Sequence, residues 1–172
     1  AWIYRINDLV SRGLIAPDGC IFWADGEPFL TKDADRLIDH VFHATTLRLD
    51  IRSNLSLYPE GLGAFLRSGR VTLCTSLDAG TRDTFKRVKN RDCFQKVVEN
   101  IFRCSRENPN GLMLKYICLP QNSTREDMNG FVEIAEQSMC KTVVISFDQF
   151  GGAISNETYS FAAELMLKCQ EK

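Results

Sequence analysis

The tetrapeptide Asp25-Gly26-Glu27-Pro28 combines residue types that could bind a small polar ligand. It directly follows an apolar run, residues 20–24, that is typical of a buried strand. The glycine allows a tight turn and a close approach of the backbone, because it has no Cβ atom. The carboxylate of Glu27 and the free backbone groups of the turn can form hydrogen bonds with a polar ligand. We therefore predict a binding site at the end of this strand.

Two further apolar runs carry polar side chains of the same kind. Ser76 and Asp78 lie at the end of the run 71–77. Lys115 is the only charged residue within the run 112–119, and strand alternation places it on one face of that run. If these runs are strands of one parallel sheet, their polar residues should meet in a shared cavity at one edge.

Each candidate residue also has a purely structural interpretation. Glu27 could be a surface residue of a turn that ends a strand, and Asp78 or Thr81 could cap the following helix. Lys115 could extend until its ammonium group reaches solvent at the rim. Asn54, which follows a third run, could belong to the same site or to an ordinary turn. The residues alone leave these alternatives open.

The elements that would position these residues alternate between helix and strand. Apolar residues at helical spacing, with glycine and proline near the ends, predict helices at residues 2–12, 33–44, 59–68, 81–88, 93–105, 126–139 and 157–168. Apolar or alternating runs predict strands at residues 20–24, 47–52, 71–77, 112–119 and 142–147. Strands that alternate with helices are joined by crossovers, so the sheet should be parallel. Ligands of such sheets bind at the carboxyl ends of the strands.

The fold class predicted from this alternation is α/β, with one domain that covers residues 1–172. The parallel sheet should be open or curled into a partial TIM-like barrel. Its first element is a helix without a preceding strand, so we expect the first strand–helix unit to be incomplete or missing. The chain also starts with Ala1 rather than methionine, which indicates a fragment of a longer protein.

Composition excludes several functional classes. A formal net charge of -1 gives no global field that would attract nucleic acid or an acidic membrane. No run reaches the roughly 18 apolar residues of a membrane span. One small basic cluster could hold a phosphate or form a solvated helix face; its members are Lys86, Arg87, Lys89 and Arg91.

The cysteine and histidine residues do not form a recognisable metal site. The seven cysteines are odd in number and lack short spacings, which argues against a disulfide framework and against a zinc site. Reduced cysteines favour a cytoplasmic location. His40 and His43 have a spacing that metals can use, but no partner is evident, so we expect an exposed helix face.

Several motifs together resemble the radical S-adenosylmethionine (radical SAM) superfamily. The run 21–30 resembles the Gly-Gly-Glu-Pro segment on the second strand of those enzymes, and Ser53-Asn54 resembles the polar end of their third strand. Residues 76–81 resemble their fourth strand and its turn, and residues 114–122 resemble their fifth. The motifs occur in the order and spacing of the family over nearly the whole chain. The resemblance implies a partial (β/α)6 barrel.

The resemblance also implies a function. Such an enzyme, an oxidoreductase, cleaves S-adenosylmethionine reductively beside a 4Fe-4S cluster, and the resulting 5'-deoxyadenosyl radical takes a hydrogen atom from a substrate. Expected partners are a small-molecule or peptide substrate and an electron donor such as flavodoxin or ferredoxin, with no nucleic acid and no membrane. The residues that the resemblance assigns to S-adenosylmethionine are Asp25, Gly26, Glu27, Pro28, Asn54, Ser76, Asp78 and Lys115.

Within that set, the resemblance implies a division of roles. Gly26, Glu27 and Pro28 would accept hydrogen bonds from the methionine amino group. Ser76 and Asp78 would take ribose hydroxyls or lie beside the methionine carboxylate. Lys115 would pair with that carboxylate. Catalytic residues remain unassigned.

The chain departs from the family pattern in two respects. The family holds its cluster on a Cys-x3-Cys-x2-Cys triplet, and this sequence contains no such triplet. We expect the triplet to lie upstream of this chain, which alone would then be inactive; a degenerate relative without a cluster is the alternative. In addition, Asp25 stands where the family has its first glycine, which adds a Cβ atom and a charge near the ligand.

Two other functions remain open at this point. A cluster-free relative could act as a binding module for a nucleotide-like ligand or a protein. A different barrel enzyme, of the aldolase or epimerase type, could use Lys115 for a Schiff base or for proton transfer.

Overall fold

A single parallel sheet organises the chain. The computed structural model describes residues 2–24, 26–148 and 153–171. Within these residues five strands lie side by side in chain order, and all of their pairings are parallel. The strands are β1 (Cys20–Trp23), β2 (Arg48–Arg52), β3 (Val71–Ser76), β4 (Leu112–Cys118) and β5 (Thr142–Phe147). The predicted α/β class with a parallel sheet is confirmed.

Helices connect the strands and follow the last one. The α-helices are α1 (Trp2–Ser11), α2 (Ala34–Ala44), α3 (Leu62–Arg67), α4 (Arg82–Lys89), α5 (Phe94–Glu107), α6 (Arg125–Gln137) and α7 (Asn156–Gln170). Two 3-10 turns, Pro28–Leu30 and Pro109–Gly111, were not predicted from the sequence. No described helix is long and apolar enough to cross a membrane.

The predicted strand bounds agree with the structure to within one residue at each end. The largest error concerns α3, which was expected to begin at Pro59 but begins at Leu62. Residues 59–61 form a turn instead, because the Leu62 N–H donates to the Pro59 carbonyl at 3.2 Å. The Glu60 N–H donates to the Asp35 carboxylate of α2 at 3.0 Å, so this turn is bonded to the neighbouring helix.

The two faces of the sheet have different environments. Right-handed crossovers between strands in chain order place consecutive helices on the same side of a sheet. On that side, which we call the outer face, side chains such as Leu49, Leu73 and Tyr116 are fully buried. On the other side, the inner face, the alternating residues of β4 are only partly buried. Side chains of the inner face are therefore available to a ligand.

The core lies between the outer face and the helices. Its buried apolar residues form one cluster that runs from Ile6 in α1 to Leu165 in α7. Tyr116 is central to it, because its ring packs against Phe131 at 4.9 Å and against Phe161 at 5.8 Å. This packing ties α6 and α7 to the sheet and fixes the strand ends that carry the candidate site.

Candidate functional site

A cleft of about 720 Å³ lies over the inner face near the carboxyl ends of the strands. Its volume falls in the range of roughly 300–1,000 Å³ that is typical of small-molecule sites. The cleft brings together five of the residues predicted from the sequence: Gly26, Glu27, Asn54, Ser76 and Lys115. Pro28 is buried in the turn beneath it, and Asp25 lies outside the described residues. The predicted convergence at this edge is therefore largely present.

Glu27 is held in place by three hydrogen bonds from uncharged donors. The Ser53 hydroxyl donates to Oε1 at 2.6 Å, and the Phe29 N–H donates to the same oxygen at 3.3 Å. The Asn54 N–H donates to Oε2 at 2.7 Å. These bonds join the end of β1 to the end of β2. Since no lysine or arginine among the described residues pairs with Glu27, its negative charge remains available to the cleft.

The turn before Glu27 depends on Gly26. Its φ angle of +66° lies in the left-handed region, which favours glycine because other residues are strained there. A Cβ atom at this position would meet no other atom within 4 Å, so the requirement comes from the backbone and not from space. Gly26 is also exposed to the cleft, which allows a ligand to approach its backbone.

Ser76 and Lys115 are neighbours on the inner face. They pair in register across β3 and β4, and Val144 of β5 follows next in the same row. Both polar residues are partly buried and line the cleft. Within the described part of the chain, the Lys115 ammonium group has no hydrogen bond and no ion pair. The predicted placement of Lys115 on a face with Met113 and Ile117 agrees with the alternating burial of β4.

Asp78 occupies a structural position below the cleft. It is only 2% exposed, and its φ angle of +54° is unusual for a residue other than glycine. Its Oδ1 accepts the Ile117 N–H at 2.7 Å, and its Oδ2 is ion-paired with Lys89. The carboxylate therefore extends the β3–β4 ladder by one hydrogen bond. The structure does not bring Asp78 into the cleft, where the sequence had placed it with Ser76.

The loop after Asp78 is fixed by a second buried carboxylate, that of Asp127. It accepts hydrogen bonds from the N–H groups of Gly80 and Thr81 and from the Thr84 hydroxyl, at 2.9–3.2 Å. Thr81 caps α4, since its hydroxyl accepts the Thr84 N–H at 3.3 Å. Of the two helix-capping alternatives, Thr81 rather than Asp78 therefore caps α4.

Phe22, Arg52 and Lys89 also line the cleft, although the sequence did not assign them to the site. Lys89 belongs to the basic cluster that was considered a phosphate site or a solvated face, yet its side chain turns toward Asp78 and is 25% exposed. Phe22 is 63% exposed although it lies within a strand. The alternation of Arg48, Asp50 and Arg52 was the available signal for Arg52, because it showed a polar inner face on β2.

The cysteines do not fit an iron–sulfur cluster. Burial raises the pKa of Cys104 to about 12 and, together with the nearby negative charge of Asp78, raises that of Cys118 to about 12. A cluster is bound by several cysteines that lie close together, and these two thiols are instead buried separately in the core. No group of three metal-ligating side chains occurs among the described residues. His40 instead shares a hydrogen bond of 2.8 Å with Asn7, and His43 lies 3.4 Å from Asp39 on the exposed side of α2.

Comparison with known proteins supports the resemblance seen in the motifs. No family model matches the sequence. The chain is 27% identical over 126 residues to a GTP 3',8-cyclase of Aliarcobacter butzleri (strain RM4018), a radical SAM enzyme. The matched region is 73% of this chain but only 38% of that relative.

Solved structures share the fold. Streptococcus suis SuiB bound to S-adenosylmethionine superposes with a TM-score of 0.68 and 10% identity over 88% of this chain and 36% of SuiB. A domain of a pyruvate-formate lyase-activating enzyme from Bacteroides vulgatus gives a TM-score of 0.66 and 11% identity over 88% of this chain and 95% of that domain. Both are radical SAM proteins, and the predicted resemblance to that superfamily is confirmed.

Proposed function

We propose that this chain is the S-adenosylmethionine-binding core of a radical SAM enzyme. One observation carries the proposal beyond the fold. Glu27 and Lys115 line the same cleft, have opposite charges, and have no ion-pair partner among the described residues. A zwitterionic amino acid presents the complementary pair of charges, and S-adenosylmethionine ends in that group.

Different residues of the cleft would contact different groups of the ligand. Glu27 would accept hydrogen bonds from the methionine amino group, in an orientation fixed by Ser53 and the Asn54 N–H. Ser76 and Lys115 would donate to the methionine carboxylate. The Asn54 side-chain oxygen already accepts the Ser56 N–H at 2.8 Å, so its amide nitrogen remains as a donor for a ribose hydroxyl. Asp78 would act indirectly, by holding β3 and β4 in the register that places Ser76 beside Lys115.

The cofactor, and not the protein, would supply the radical chemistry of such an enzyme. S-adenosylmethionine held by Glu27, Ser76 and Lys115 would supply a 5'-deoxyadenosyl radical, with methionine as the other product, if a 4Fe-4S cluster provided one electron. The described residues offer no thiolate triplet for that cluster, so its ligands would have to come from outside this chain. The substrate and the electron donor, flavodoxin or ferredoxin, belong to the proposal for the complete enzyme.

A second candidate is a cluster-free module that binds S-adenosylmethionine without cleaving it. The observation that favours this alternative is that the cysteines are dispersed and that no group of three metal-ligating side chains occurs among the described residues. Both candidates require the same ligand contacts.

Isothermal titration calorimetry with S-adenosylmethionine tests the shared requirement. We expect the Lys115→Gln variant to lose affinity by about 10- to 100-fold, since a charge-assisted hydrogen bond to a carboxylate contributes roughly 1.5–3 kcal/mol. The matched control is Lys96→Gln, which removes an exposed lysine of α5 outside the cleft. Equal affinities of both variants, or no binding by the unmodified chain, would contradict the proposal.

Chemical trapping at Lys115 distinguishes the aldolase-type alternative from the proposed function. Borohydride reduction in the presence of a carbonyl substrate would trap an adduct at Lys115 only if that residue forms a Schiff base. We expect no adduct at Lys115, as judged by peptide mass spectrometry.

A further inference from the structure

An exposed aromatic ring lies in the cleft beside the proposed cofactor residues. Phe22 of β1 is 63% exposed, whereas the next residue, Trp23, turns to the outer face and packs edge-on against Phe29 at 6.4 Å. The contact that the structure gives the Phe22 ring is with Arg52, whose guanidinium carbon lies 5.5 Å from the ring centre. Because this ring is exposed within a cleft, it offers an apolar surface on which a ligand can pack.

Arg52 is oriented but largely unused as a donor. One amino group of its guanidinium donates to Oδ2 of Asp50 at 3.2 Å, and this is its only side-chain hydrogen bond to a described residue. A guanidinium carries five N–H donors in a fixed plane, so most of them remain available. With Asp50 on one side and the Phe22 ring below, the plane of the group is set before any ligand arrives. That geometry suits two-point binding of a carboxylate or a phosphate.

The strand register separates Arg52 from the groups proposed to bind the cofactor. Arg52 pairs with Cys74 of β3, and Cys74 pairs with Met113 of β4. Ser76 and Lys115 form the next row of inner-face residues, about 6.6 Å further along the strands. Arg52 therefore lies closer to the amino ends of the strands than the proposed methionine site, within the same cleft.

We propose that Arg52, held by Asp50 above the Phe22 ring, binds a carboxylate or phosphate group of the substrate. The part of the substrate next to that group packs on the exposed Phe22 ring. This inference rests on the proposed function, since it assigns the cleft beside the cofactor to a second, anionic molecule.

Small aromatic probes test the substrate class on the 172-residue chain. Benzoate and phenyl phosphate carry the two anionic groups on a ring, and benzamide is a neutral molecule of the same shape as benzoate. Binding is followed by NMR titration, with the Arg52 Nε–H resonance as a local signal. The variants are Arg52→Gln and, as a matched control, Arg48→Gln, which removes an exposed arginine from the same face of the same strand.

We expect at least one anionic probe to shift the Arg52 Nε–H resonance, and benzamide to bind at least tenfold more weakly. We expect Arg52→Gln to weaken anion binding about tenfold or more and Arg48→Gln to weaken it less than twofold. Tighter binding of benzoate indicates a carboxylate substrate, and tighter binding of phenyl phosphate indicates a phosphorylated one. The inference is overturned if neither anion binds, if benzamide binds as tightly, or if the two variants behave alike.

S-adenosylhomocysteine has the same amino acid and adenosine groups as S-adenosylmethionine. A parallel calorimetric titration with it tests the proposed cofactor site separately from the anion site at Arg52. We expect Arg52→Gln to retain its affinity for that ligand within twofold. A loss of tenfold or more would assign Arg52 to the cofactor pocket and overturn the inference. Absence of binding by the unmodified chain would instead contradict the proposed function, whatever the anionic probes show.

Discussion

Glu27 and Asp78 occupy equivalent places in the fold but have opposite surroundings. Each carboxylate follows a strand and joins two strand ends, Glu27 between β1 and β2 and Asp78 between β3 and β4. Glu27 is bound by uncharged donors only and borders the cleft. Asp78 is 2% exposed and is neutralised by Lys89. A carboxylate whose charge is already compensated stabilises the fold, whereas one held by neutral groups keeps its charge for a ligand.

The largest effect that this comparison predicts is on stability at Asp78. Replacing Asp78 by alanine leaves the Ile117 N–H without an acceptor and Lys89 without its partner. We expect the free energy of unfolding in urea to fall by about 2–4 kcal/mol, since a broken buried pair leaves an uncompensated charge. Asp78→Asn, which can still accept from Ile117, should lose less. If Asp78→Ala loses less free energy of unfolding than an exposed control such as Glu99→Ala, Asp78 does not stabilise the fold.

The next effect concerns ligand binding at Glu27. The Glu27→Gln side chain carries no charge, and its single carbonyl oxygen can replace only one of the two carboxylate oxygens that accept from Ser53 and Asn54. We expect affinity for S-adenosylmethionine, measured by calorimetry, to fall about 10- to 100-fold. Stability should change by less than in Asp78→Ala, because the replaced group is only partly buried. If instead stability falls by the larger amount while affinity is unchanged, the roles assigned to the two carboxylates are reversed.

A smaller effect links Asp78 to the alkaline stability of the chain. Burial, aided by the charge of Asp78, raises the pKa of Cys118 from 9.0 to about 12. Folding therefore favours the thiol, and this contribution to stability is present below pH 9 and is lost as the pH rises toward 12. Urea midpoints measured between pH 7.5 and 11 should fall, and Cys118→Ser should reduce the slope because serine does not ionise in that range. In Asp78→Asn the fall between pH 9 and pH 11 should be smaller, because the pKa of Cys118 is raised less without the Asp78 charge.

The pH series of urea midpoints has a control variant at Glu27, which lies between β1 and β2. Glu27→Gln leaves the surroundings of Cys118 intact, so its pH profile should keep the shape of the unmodified chain. A parallel change in both variants would indicate a general loss of stability and not a local effect of the Asp78 charge.

Sequence patterns predicted the sheet well because the two faces of each strand differ. Alternation in β2 and the apolar runs of β1, β3 and β4 identified the strands, and glycine and proline marked the connections. The expectation that β1 is buried was wrong, because its residues are exposed or only partly buried. The predicted start of α3 was wrong, because proline is compatible with a turn as well as with the first turn of a helix.

The candidate site was harder to predict, since side-chain partners distant in sequence decide each role. Asp78 and Glu27 look alike as acidic residues after a strand, and only Lys89 and the Ile117 N–H distinguish them. Asn54 was identified for its side chain, but its backbone N–H is what holds Glu27. Arg52 was overlooked because an alternating charged strand equally suits a solvated face.

One measurement tests the central claim that Glu27 and Lys115 together bind the amino acid end of S-adenosylmethionine. Calorimetry compares S-adenosylhomocysteine with 5'-methylthioadenosine, which lacks that end, on the unmodified chain and on the Glu27→Gln/Lys115→Gln double variant. We expect the unmodified chain to prefer S-adenosylhomocysteine by about 100-fold or more and the double variant to lose most of that preference. An equal preference in both proteins would show that the two charged groups do not bind the amino acid end, and would contradict the account.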